Sequence, residues 1–165
     1  MKSRIRMVSI AILIAACSGG LALAADLPKE GSYDHTICFT QNRTSIEYTK
    51  TLFAYSYEET GTSVSNPPGG MFDNEVVRCV GMRISLEGKR SGGALCEGVA
   101  RNGDTRLTRF WFDSDGKLQR EAVAGTGMYD GMVTTGTVKT VGQTQQVKPG
   151  TVQFCNHGTG TYKMK

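Results

Sequence analysis

Turn-forming glycine pairs punctuate this chain at intervals of roughly a dozen residues: Glu87-Gly88, Asn102-Gly103-Asp104, Asp115-Gly116 and the glycines around Asp130. Asn-Gly and Asp-Gly supply the positive φ that tight hairpin turns require. Between these points the apolar pattern has period two rather than 3.6. In "TSIEYTKTLFAYSYEET", Ile46, Tyr48, Leu52 and Ala54 alternate with Glu47, Thr49, Thr51 and Phe53, and the stretch is dense in β-branched and aromatic residues. "VVRCVGMRISLEG" places Val76, Val80, Met82, Ile84 and Leu86 on one parity with Arg78 as the only intruder, the pattern of a half-buried strand.

This punctuation predicts an all-β chain of eight strands, at 33–41, 45–58, 75–87, 92–101, 105–114, 117–125, 131–142 and 151–163. The strongest break, "SVSNPPGG" from Ser63 to Gly70, reads as a long inter-strand loop, because paired prolines and glycines prevent both helix and ladder. Eight consecutive hairpin-linked strands hide their edges most simply by pairing the last with the first, as a single antiparallel up-and-down β-barrel. A β-sandwich is the alternative architecture.

The N-terminus reads as a leader. Lys2, Arg4 and Arg6 precede an apolar run, and Ala22-Leu23-Ala24 offers the small-x-small pattern of signal peptidase. The expected division is a signal peptide at 1–24 and a single barrel domain at 25–165. Ser18, Gly19 and Gly20 interrupt the run, and no second apolar stretch of spanning length follows, so no transmembrane segment is expected in the mature chain. "IAAC", ending at Cys17, resembles a bacterial lipobox and makes a lipoprotein the minority alternative to a soluble periplasmic or secreted protein.

Removing the leader subtracts three cations and no anion, leaving 16 Lys and Arg against 15 Asp and Glu, a net charge of +1. The remaining cations are scattered, which disfavours nucleic acid as a partner. The odd cysteine count becomes even once Cys17 goes. Cys38, Cys79, Cys96 and Cys155 then suggest two disulfides in an exported domain, with connectivity open among three possibilities. A barrel would make Cys38 and Cys155 neighbours at its closure, and Cys79 and Cys96 flank the Glu87-Gly88 turn almost symmetrically. No pair has the CxxC spacing of a redox site or zinc ribbon.

"AGTGMYDGMVTTG", Ala124 to Gly136, poses the question of a phosphate-cradling loop. A dinucleotide fingerprint needs a third glycine where Asp130 stands, followed by a helix; here "MVTTGTVKTV" follows and reads as strand. The stretch is a turn between the sixth and seventh strands. Its "GTGMY" echoes in "GTGTY", Gly158 to Tyr162.

"AGTGMYDGMVTTGTV", together with "GALCEGVARNGD" and "GTVQFCNHGTGTYKM", resembles the glycine turns of the allene oxide cyclase and dirigent barrel superfamily, especially small exported bacterial proteins similar to it. The resemblance covers roughly the last 75 residues. It implies a barrel, and as activities it implies cyclisation of an oxidised fatty-acid epoxide or steering of phenoxy-radical coupling. It carries no catalytic residue onto a position of this sequence.

Read from the residues, the chemistry is sparse. His35 and His157 fall on the first and last strands, near each other if those strands pair, but no carboxylates accompany them at ligand spacing; neither a metal site nor a cofactor is expected. There is no Gly-x-Ser-x-Gly elbow, and Glu47, Glu97 and Asp113 mark no dyad. "TRLTRFWFDSDG" puts Arg109 beside Trp111 on one face. With His35, Tyr48 and Tyr55 from other strands, these two would suit a small aromatic or fatty anion in a barrel interior. The leading expectation is a non-enzymatic module for a small hydrophobic or amphipathic ligand. The alternatives are an isomerase or cyclase of the allene oxide cyclase type, and a protein-binding barrel such as a periplasmic protease inhibitor acting through the loop at Pro67 and Pro68. Nothing in the sequence names a protein partner.

Overall fold

A computed structural model describes residues 27–165 and shows eight antiparallel strands in one curled sheet. They are β1 (Glu30–Thr49), β2 (Leu52–Ser65), β3 (Val76–Leu86), β4 (Lys89–Val99), β5 (Thr105–Phe112), β6 (Leu118–Gly125), β7 (Val133–Lys148) and β8 (Thr151–Lys163). Among the described residues the only helical turn is a 3-10 turn at Gly127–Tyr129, and no helix is long and apolar enough to cross a membrane. The predicted signal peptide and Cys17 lie outside the described residues.

The order across the sheet is β6-β5-β4-β3-β2-β1-β8-β7. First and last strands pair, as expected, with Cys38 directly opposite Cys155. The ladder expected between the sixth and seventh strands is not there: β6 and β7 are the two edges of the sheet, approaching within 8 Å between Cα atoms without a hydrogen-bonded register. The physical reason lies in their connection. Thr126 donates its N–H to the Thr105 carbonyl and Met128 donates to Asp104 Oδ2, so the glycine turn is tied to the β4–β5 loop rather than closing a hairpin. The N–H of Met128 thus serves the chain's own Asp104 carboxylate.

The first hairpin also turns elsewhere than expected. The expected strand at 45–58 straddles the real turn, since β1 continues to Thr49 and β2 begins at Leu52. Nothing between Gln41 and Ser45 breaks a strand, whereas Thr49 Oγ1 accepts hydrogen bonds from the N–H groups of Thr51 and Leu52 and so turns the chain. Further along, Glu87 and Gly88, at φ +52° and +83°, form a two-residue hairpin in which glycine suits its positive φ and Glu87 takes one that most side chains avoid.

The facing of β3 is also instructive. Its apolar parity, Val76, Val80, Met82 and Leu86, points outward and is exposed, while Val77, Cys79 and Ser85 are buried. Small barrels and curled sheets fill a narrow concave side with a limited set of side chains, and here Cys79 and Cys96 are among those facing it. Cys79–Cys96 joins directly opposed residues of β3 and β4, and Cys38–Cys155 joins β1 to β8.

Two clusters make the core. Tyr33, Met71, Phe72, Tyr129, Met132 and Tyr162 pack together at one, and Phe39, Val77, Cys79 and Cys96 form the other, with Phe110 and Phe154 against it. Each large apolar side chain fully buried this way contributes about 1.5–3 kcal/mol.

Candidate functional site

The loop from Ser65 to Glu75 carries side chains into the concave side. Asp73 organises it: its carboxylate accepts from the N–H groups of Ser65 (2.9 Å) and Gly69 (3.0 Å) and from Asn74 Nδ2 (2.5 Å). These donors, the Ser65 N–H foremost, hold the Asp73 pKa below its ordinary value. Phe72 takes φ +68°, a region bulky residues avoid. Its buried ring meets Tyr33, His35 and Tyr129 at centroid distances of 5.2, 5.1 and 6.2 Å, the packing that sustains this strained backbone.

At the loop's end Glu75 has no exposed surface. Arg106 of β5 donates to both its oxygens, Nε to Oε1 at 2.7 Å and a terminal nitrogen to Oε2 at 2.6 Å, while its other terminal nitrogen donates to Thr108 Oγ1. This is the bidentate fork that a buried carboxylate needs to offset its lost hydration. The guanidinium also lies 4.6 Å from the Phe72 ring centroid. Tyr129, buried beside the pair, has its phenol pKa pushed upward by burial and then by the Glu75 charge.

His35 sits across from this pair on β1. Its Nδ1 lies 2.8 Å from Ser63 Oγ, and Ser63 is fully buried, which keeps that hydroxyl away from any incoming molecule. Burial, and after it the positive charges of Arg106 and Arg120, lowers the His35 pKa to about 4, so the imidazole is neutral near pH 7. Glycine at position 158 is what lets the ring lie flat on β8: a Cβ there would stand 2.5 Å from Nε2. The C-terminal echo of glycines therefore clears space for a side chain.

A second polar group occupies the concave face further along β2. Glu59 accepts a 2.6 Å hydrogen bond from Gln41 Nε2, and both residues are buried. Burial raises the Glu59 pKa, against the opposing pull of Gln41 and the Arg83 charge. Tyr57 beside it is raised as well, by burial first and the Glu59 charge second.

Between these groups is a cavity of about 110 Å³, walled by Ile37, Phe39, Val77, Phe110 and Phe112 and reached by His35, Glu59, Arg106 and Arg120. Cavities of ~150 Å³ take up benzene, so this space suits one small ring or a few waters. No match was found for this chain among protein-family models, curated proteins or solved structures.

The five residues expected to share a ligand site are dispersed. His35 lines the cavity. Arg109 and Trp111 lie on the opposite face of β5 from Arg106, Thr108 and Phe110; there Arg109 stacks 4.9 Å from the Trp111 ring centroid and pairs with Glu121 in solvent. Tyr48 is 84% exposed near the tip of the β1–β2 hairpin, and Tyr55 lies along the same hairpin with Arg43 over its ring. His157 is likewise separated from His35, since it pairs with Thr36 across the ladder and meets Asp34 at 2.9 Å on the outer face. Sequence reasoning missed Glu59, Glu75, Arg106 and Arg120. The available signal was the Arg106-Thr108-Phe110-Phe112 parity, which register places beside Cys96.

Proposed function

We propose that this protein is an exported binding module that holds a small amphipathic molecule inside a barrel-like sheet, in the periplasm or outside the cell. What carries the reading is the cavity: an apolar and aromatic wall reached by a few buried polar groups, the usual make-up of a small-molecule site. Two disulfides fit the oxidising compartment that the leader implies. The resemblance to the allene oxide cyclase and dirigent superfamily supports the same architecture, with β6 and β7 meeting as the seam of an up-and-down barrel.

Native mass spectrometry of the mature protein from its own host, before and after organic extraction, tests this. The expected result is a reproducible mass excess that extraction removes. A bare polypeptide that also takes up nothing from an extract of its host sinks the reading.

A second reading, an isomerase or cyclase, draws support from His35 and Glu59, two buried ionisable groups beside the same cavity. It predicts that the extracted molecule differs in structure from a precursor added to the extracted protein.

A further inference from the structure

The seam between β6 and β7 carries a groove of about 310 Å³ lined by Phe110, Leu118, Gln119, Arg120 and residues 134–138. Phe110, Leu118, Arg120, Thr134 and Val138 line the interior cavity as well, so one wall serves both spaces. Because β6 and β7 carry no ladder between them, opening this seam breaks no β6–β7 backbone hydrogen bond.

Arg120 stands in that wall, half-buried and, among the described residues, outside any ion pair. Its guanidinium donates to the Tyr33 hydroxyl and lies 5.7 Å from the Tyr33 ring centroid. Among the described residues no carboxylate is within ion-pair distance of it, whereas Arg78, Arg106 and Arg109 pair with Glu58, Glu75 and Glu121. The neighbouring His35 is neutral near pH 7, and Glu75 is already held by Arg106 at both oxygens. Tyr33 in turn donates to the Thr135 carbonyl of β7, so its hydroxyl bridges the two edges from inside. A planar cation facing an aromatic wall, satisfied only by a neutral phenol, has its bidentate carboxylate geometry unused.

We propose that the β6–β7 seam is a binding site for a small carboxylate with an apolar body, its carboxylate paired with Arg120 and its body between Phe110, Leu118 and Val138. The assignment rests on the ligand-binding reading above and narrows it to an anion, an anchor and a route. The anion displaces the Tyr33 hydroxyl from Arg120, and the apolar body follows the shared wall toward the cavity.

Titration of the mature, extracted protein with 3-phenylpropanoate and with its neutral amide, followed by backbone amide shifts, tests the site. The acid is expected to bind at least about tenfold more tightly than the amide, since charge-assisted hydrogen bonds are roughly twice as strong as neutral ones. The largest shifts are expected at Arg120 and at 134–138. Arg120→Met is expected to abolish the preference. Tyr33→Phe keeps the cation while freeing it from the phenol, and is expected to preserve or strengthen the preference, which guards against a misfolded Arg120 variant.

Equal affinity for acid and amide, a preference that survives Arg120→Met, or shifts confined to the outer face at Arg109 and Trp111 would each overturn the assignment. If neither probe binds while the native protein still carries an extractable mass excess, the assignment falls and the binding reading stands. Absence of both removes both.

Discussion

Glu75→Ala leaves Arg106, only 13% exposed at its side chain, facing a buried space without a counter-charge. Losing one partner of such a pair costs about 3–5 kcal/mol. Urea unfolding is expected to show that loss as a lowered midpoint, with a much smaller loss in a Glu75→Met, Arg106→Leu double variant that removes both charges. His35 sets the acid side of the stability profile. Its folded pKa of about 4 lies below the ordinary 6.5, so between those values the unfolded chain takes up the extra proton. Its contribution is full above 6.5 and is lost as pH falls toward 4, by on the order of 3 kcal/mol. Glu59, shifted upward, acts in the opposite sense: its contribution is present below 4.5 and is lost as pH rises through the folded value. Comparing stability from pH 7 to pH 4 in wild type and His35→Gln separates the two; the variant is expected to lose the His35 part of the slope. A wild-type slope unchanged by His35→Gln would mean the ring is not held neutral.

Strands and their links are where the two disulfides differ. Cys38–Cys155 closes a sequence separation of 117 residues and Cys79–Cys96 one of 17. On chain entropy alone they contribute about 5 and about 3 kcal/mol respectively. Paired Cys→Ala replacements are expected to lower the urea midpoint more for the β1–β8 link, with part of the gap recovered because Cys79 and Cys96 are buried in the core and leave a void. The outward placement of β5's odd parity has its own test. Trp111 is the chain's one tryptophan. Acrylamide quenching of its fluorescence is expected to stay the same when a ligand fills the interior, and to rise in Arg109→Ala, which removes the guanidinium stacked on the indole. Quenching that collapses on ligand addition would place the ligand on the outer face instead.

At the scale of the molecule, the sheet has two edge strands, β6 and β7, and six strands paired on both sides. β1 is hydrogen-bonded on both sides, by β2 and β8, while β7 forms a ladder only with β8 and its register breaks between Val141 and Gln145. Amide exchange is expected to be slowest in β1 from residue 33 to 41 and fastest in β7 beyond residue 141, by orders of magnitude. Much of this plan was legible beforehand. Period-two patterning and glycine turns anticipate eight strands and place most of them, the glycine-free β1–β2 turn being the exception, and cysteine placement anticipates both links, because alternation and positive-φ turns are local properties of a backbone. The candidate site was not legible in the same way. Arg109 and Arg106 sit three residues apart in similar surroundings, and only the sense in which the sheet curls puts Arg106 inside and Arg109 out. The same curl turns Val80 and Met82 outward and makes Cys79 core. The sequence by itself determined the all-β character, the glycine turns and the cysteines available for cross-linking, but not the turn at Thr49–Leu52. Tertiary structure alone decided which face is concave, where the sheet stays open and which charges are buried, since those depend on how eight strands twist together and on no residue separately.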